Sequence, residues 1–124
     1  MEVLDTNVIV RFLVGDHAKH QAQAVQWLEQ AEQNKREILI KPLVVAETCF
    51  VLESFYKKSR TEIAEAMLVF LSQKWLHVEN RDELLSLWPW YRKKFHFVDS
   101  YLLAWAKVNN GQVLSFDKKL MKAS

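Results

Sequence analysis

Four carboxylates stand where a merely solvated surface has no need of them. Asp5 ends the apolar start MEVLD, Glu47 lies inside VVAETCFVL, Asp99 inside FVDSYLLAWA, and Asp117 inside VLSFDKKL. At helical spacing Glu47 has Leu43, Val44, Phe50 and Val51 as neighbours, which predicts that it lies on the buried stripe of its helix. A buried, unpaired carboxylate is costly and tends to protonate. Glu47 therefore needs a hydrogen bond, a base such as Arg11, or a metal ion. Asp99 opens a helix whose other face, through Leu102 and Leu103, is apolar. Asp5, Asp99 and Asp117 each read equally as helix N-caps, and Glu47 as half of a core ion pair. Capping and metal binding are compatible, because a cap leaves carboxylate oxygens free. Brought together, four acids would repel one another, and a divalent cation removes that conflict. An all-oxygen donor set suits Mg²⁺ or Mn²⁺ rather than Zn²⁺. The four His and the single Cys show no zinc-like spacing, and His17 and His20 read as surface residues on a polar helix start.

The elements that must position these acids alternate between short apolar runs and helical patterns. Strands are expected at 2–5, 37–41, 75–79 and 112–116, with the first a short buried strand. Helices are expected at 6–15, ended by Gly15, and at 17–35, where Ala24, Val25, Leu28 and Ala31 share a face. Pro42 suits the first turn of a helix over 42–58, and Ser59 and Glu62 have capping-box spacing before a helix over 59–74. The stretch 81–94 reads as helical with an interruption near Pro89. The next helix is stopped by Asn110-Gly111. Helices alternating with non-alternating apolar strands predict a single α/β domain over 1–124 with a parallel sheet. Such sheets bind ligands beyond the carboxyl ends of their strands. If strands one and four are neighbours, Asp5 and Asp117 share one crevice.

Bulk properties set bounds but do not select a function. The 124 residues are half apolar, and the net charge is +2, too small an excess to announce nucleic-acid binding by itself. Cys49 is the only cysteine, which excludes an internal disulfide and fits a reducing compartment. No leader is legible, and no run approaches the ~20 apolar residues of a membrane span. The composition reads as cytoplasmic.

The segments VLDTNVIVRFL, VVAETCFVL, FVDSYLLAWA and VLSFDKKL, in that order and at these separations, resemble the PIN domain family. At this length the chain looks most like VapC-type ribonucleases of toxin–antitoxin pairs. The resemblance implies a three-layer fold whose central parallel sheet runs 3-2-1-4-5. Few residues follow Asp117, so order 3-2-1-4 is expected, with the fifth strand in question. It also implies that Asp5, Glu47, Asp99 and Asp117 hold Mg²⁺ or Mn²⁺, with Thr6, Asn7 and Ser115 orienting them. The implied activity is hydrolysis of RNA phosphodiester bonds to 5′-phosphate and 3′-hydroxyl ends. Implied partners are an antitoxin protein and a second copy of the chain.

For gripping the RNA backbone, Lys118, Lys119 and Lys122 lie beside Asp117, and Arg11 lies one short helix from Asp5. The same lysines read as a solvated helix face. Trp88, Trp90, Tyr91, Phe95 and Phe97 crowd the approach to Asp99 and read as core before they read as base-stacking platforms. Two other readings stand beside the nuclease. One is a phosphatase-like phosphotransferase with Asp5 as nucleophile, for which DTN lacks the second acid. The other is a non-catalytic interaction module whose acids are caps and ion pairs.

Overall fold

A computed structural model describes all 124 residues. The chain is α/β, with a central parallel sheet flanked by helices, as expected. It divides into two compact units, Met1–Glu79 and Asn80–Ser124.

The first unit contains β1 (Glu2–Val3), α1 (Thr6–Val14), α2 (Ala18–Glu32), β2 (Ile38–Ile40), α3 (Pro42–Ser54), α4 (Arg60–Leu71) and β3 (His77–Val78). β2 lies between β1 and β3 and is parallel to both, with Val3 opposite Leu39 and Ile40 opposite Val78. The order 3-2-1 is the one expected. Backbone bonds from Leu4 N–H to Leu39 O (3.0 Å) and from Glu79 N–H to Ile40 O (3.0 Å) extend each pairing by a residue. Ile38 and Ile40 are buried, whereas Glu2 and Val3 are exposed, so β1 is an edge strand rather than the buried strand expected. Leu4 is the first buried residue of the chain.

Local chemistry explains the helix boundaries. Gly15 closes α1 at φ 73°, a left-handed conformation that favours glycine. Pro42 stands at the start of α3. The capping box of α4 is complete: Glu62 N–H donates to Ser59 Oγ (3.1 Å), and Ser59 N–H donates to Glu62 Oε1 (3.2 Å). α1 packs on α2 and α3, and α3 on α4. Ile63, Met67, Phe70 and Leu71 of α4 point inward as their spacing requires. Buried in α3, the Cys49 thiol is pushed well above its ordinary pKa by burial.

The second unit contains α5 (Arg81–Ser86), α6 (Trp88–Arg92), α7 (Phe97–Val108) and α8 (Lys118–Ala123). The break between α5 and α6 falls at Leu87, two residues before Pro89, which sits in the first turn of α6 and donates no N–H. Trp88 and Tyr91 are core residues, their rings edge-on with centroids 5.6 Å apart. The Trp88 indole N–H is buried without a hydrogen-bond partner, which costs about 1–3 kcal/mol. α7 ends with Asn110 at φ 52° and a bond from Gly111 N–H to Ala106 O (2.8 Å). That is a Schellman closure with Asn, not Gly, in the left-handed position.

The strand expected at 112–116 does not form. Only Val113 turns inward, joining Leu103, Ala106 and Leu120, while Leu114 is 87% exposed and Phe116 fully so. An apolar run supplies strand propensity but not the hydrogen-bonded neighbour that makes a ladder.

Candidate active site

In the first unit, Asp5 holds the N-cap position of α1 with extended backbone (φ −81°, ψ 153°), but its side chain makes no capping bond. Its backbone oxygen accepts from Val8 N–H (3.1 Å), which starts the helix. Of the two polar residues after Asp5, Thr6 is buried and Asn7 exposed. Asp5 borders a cavity of about 270 Å³ that also touches Val8, Trp27, Arg36 and Ile38. Arg36 does not neutralise Asp5, because its Nη1 donates to both oxygens of Glu2 at 2.6 and 2.8 Å.

Glu47 is exposed, contrary to the expectation that it is buried. α3 is apolar on nearly every side, so its spacing does not reveal which side faces the core. The side that does is Val45, Thr48, Cys49 and Leu52. Glu47 instead sits between Leu43 (84% exposed) and Phe50 (68% exposed) on the outer face. Nor does Arg11 pair with Glu47. Arg11 Nη1 donates to Asp16 Oδ1 (3.4 Å) and to the Tyr56 hydroxyl (3.3 Å), and Tyr56 O–H donates to Asp16 Oδ2 (2.9 Å). The Tyr56 bond, helped by a backbone hydrogen bond and then by the Arg11 guanidinium, holds the Asp16 carboxyl below its ordinary range. The sequence gives no sign of this triad, whose Tyr56 lies 40 residues from Asp16.

In the second unit, Asp99 is the third residue of α7, half-buried and in the helix's first turn, where a negative charge is favoured. Asp117 caps α8: its Oδ1 accepts from Lys119 N–H (2.9 Å) and Leu120 N–H (3.3 Å). Ser115 Oγ accepts from Asp117 N–H (2.9 Å) and so helps fix the carboxylate's backbone. Lys118 and Lys122 are exposed on α8, whereas Lys119 Nζ lies 4.8 Å from the centre of the Phe95 ring. The buried carboxylate of this unit is one the sequence reading passed over. Glu83, 7% exposed, accepts from Asn109 Nδ2 (3.0 Å). That bond outweighs burial and holds its carboxyl below the ordinary value.

The ion pairs of the chain engage Glu2, Asp16, Glu53 and Glu79, with Glu37 near His77. Asp5, Glu47, Asp99 and Asp117 take part in none of them. Asp5 and Glu47 belong to the first unit, and Asp99 and Asp117 to the second. No three His, Cys, Asp or Glu side chains form a group able to hold a metal ion. The donor chemistry of the quartet nonetheless fits a hard divalent cation, since all four offer carboxylate oxygens that no Lys or Arg occupies.

The PIN domain family model matches residues 3–124. This chain belongs to the PIN domain family. A curated relative of this PIN domain, the "VapC ribonuclease" of Aquifex aeolicus (strain VF5), is 27% identical over 124 residues, covering 98% of this chain and 91% of the relative. No solved structure gives a significant match. Membership sets aside the phosphatase-like reading of DTN. The four acids stand in the turn after β1, the middle of α3, the first turn of α7 and the cap of α8.

Proposed function

We propose that this PIN domain is a Mg²⁺- or Mn²⁺-dependent endoribonuclease and the toxin of a type II toxin–antitoxin pair. The observation that carries the reading is the PIN family match over residues 3–124; Asp5, Glu47, Asp99 and Asp117 take part in no ion pair and so keep their carboxylate oxygens open. The similarity to a protein named VapC ribonuclease supports the same reaction class. In this reading the four carboxylates hold the metal. Thr6 and Asn7 position Asp5, and Ser115 positions Asp117 through its backbone N–H. Bound Mg²⁺ or Mn²⁺ supplies Lewis acidity toward the scissile phosphate and activation of the attacking water. Lys118 and Lys122 attract the RNA backbone, with Arg11 a further cation in the first unit. The cognate antitoxin, a second copy of the chain and a cytoplasmic setting complete the proposal. No helix is long and apolar enough to cross a membrane.

A non-catalytic interaction module is the second reading, favoured by the exposed Leu43 and Phe50 of α3 and Phe55 at its end. An RNA cleavage assay with Mg²⁺ or Mn²⁺, with EDTA, and with Asp5→Asn separates the two. The nuclease reading expects cleavage that EDTA abolishes and that Asp5→Asn lowers about 10²–10³-fold, with the variant still folded by circular dichroism. Cleavage by Asp5→Asn at the wild-type rate would remove the acidic-site mechanism.

A further inference from the structure

We infer that the groove between α1 and α2 is a base-binding subsite for single-stranded RNA, with Trp27 as its stacking platform. The inference rests on the ribonuclease reading and adds where one nucleotide of the substrate sits. A second cavity, of about 220 Å³, lies between the two helices and is bordered by Asn7, Val8, Arg11, His20, Gln23 and Trp27. Val8 and Trp27 also border the cavity that reaches Asp5, so the two cavities share a wall. The groove therefore lies next to the cavity that Asp5 borders.

The chemistry of the lining selects the occupant. Trp27 is half-buried and stacks on no other ring of the chain. Every base presents a π-face to such a surface, and stacking on it is sequence-tolerant. Asn7 and Gln23 carry amides, which both donate and accept and so suit a base edge. His20 is stacked on His17 with ring centroids 3.7 Å apart. Partial desolvation, then the charges of His17, Arg11 and Lys19, holds its imidazole below the ordinary range, so at neutral pH it also offers one donor and one acceptor. The lining includes Arg11 but no carboxylate. Arg11 makes its bonds to Asp16 and Tyr56 through Nη1, so its Nε and Nη2 donors remain available to an anionic group. An aromatic, hydrogen-bonding ligand joined to a phosphate satisfies all of these groups together. The cavity is smaller than the ~300–1,000 Å³ of a typical small-molecule pocket, which suits one flat base better than a packed helix.

The experiment uses the full chain in EDTA and a short mixed-sequence RNA oligonucleotide, so that binding is read without cleavage. The indole N–H signal of Trp27 is assigned in nitrogen-15 NMR spectra from its loss in Trp27→Phe. RNA is expected to shift that signal, and Trp27→Ala is expected to weaken RNA binding about 5- to 100-fold. Gln23→Trp, on an exposed helix position, blocks the groove mouth without touching the core and is expected to weaken binding to a similar degree, which covers the case of a poorly folded Trp27→Ala. If RNA is cleaved by the wild type while the Trp27 signal stays fixed and both variants bind RNA unchanged, the subsite is wrong and the nuclease reading stands. If RNA shifts Trp27 but no metal elicits cleavage, the subsite stands and the nuclease reading falls. If the signal moves only when the cognate antitoxin is added, the groove is a protein-docking surface and the inference is overturned.

Discussion

The starts of α1 and α8 place the same residue type at the same helix position and use it differently. Asp117 spends one carboxylate oxygen on two backbone N–H groups and is steadied by Ser115. Asp5 makes no capping bond at all. α1 is nine residues long and is anchored by Ile9 and Val10 in the core, so it holds without a side-chain cap. α8 has six residues and only Leu120 buried, so its cap matters more. The contrast teaches that an Asp at a helix start is not explained by its position alone. At α8 structural need and proposed chemistry share one carboxylate, whereas at α1 the side chain is free for chemistry.

The sharpest way to break this comparison is Asp117→Asn. Asparagine keeps the cap and removes the charge. Metal-dependent RNA cleavage should fall about 10²–10³-fold while the melting temperature hardly moves. If cleavage survives, Asp117 is a cap and nothing more. Asp117→Ala should lose the same activity and also about 1 kcal/mol of stability in urea unfolding. Asp5→Ala should cost less than about 0.5 kcal/mol, because no capping bond is lost. Equal losses at the two sites would erase the distinction drawn here.

A third carboxylate sharpens the picture from the buried end. Glu83 has its carboxyl held below the ordinary 4.5 in the fold, first by the Asn109 bond. A folded value below the unfolded one means that its stabilisation is full above about pH 4.5 and is lost as pH falls through the lower, folded value. Asn109→Ala should therefore lower stability at neutral pH by about 1 kcal/mol and flatten the acid limb of the stability curve. An unchanged limb would mean that Glu83 does not report the fold. The smallest effect is expected for Ser115→Ala, a few tenths of a kcal/mol from one exposed hydrogen bond, with metal affinity reduced about 10-fold if Ser115 orients Asp117.

Glu47 and Glu83 show where sequence reading succeeds and where it fails. Both are acids on short-range helical patterns, and the reading placed the wrong one inside. Around Glu47 the neighbours are all apolar, but so is most of α3, and a helix apolar on every side carries no phase information. Glu83 has Asp82 as a neighbour in a six-residue helix, too short for periodicity to speak. Its burial is set by Asn109, 26 residues away. The Arg11–Asp16–Tyr56 triad is hidden for the same reason.

What the sequence determined by itself is local or periodic. Gly15, Pro42, the Ser59–Glu62 box and Asn110-Gly111 mark helix ends because backbone conformation and capping act within a few residues. The alternation of helix and apolar strand predicts a parallel sheet, whereas its order 3-2-1 is implied by the family resemblance. What only the tertiary structure decided is which surface meets which. The outward side of α3, the unpaired run 112–116 and the groove holding Trp27 all depend on partners distant in sequence. A strand needs a neighbour's hydrogen bonds and a buried face needs an opposing one, and neither is encoded within the segment that uses it.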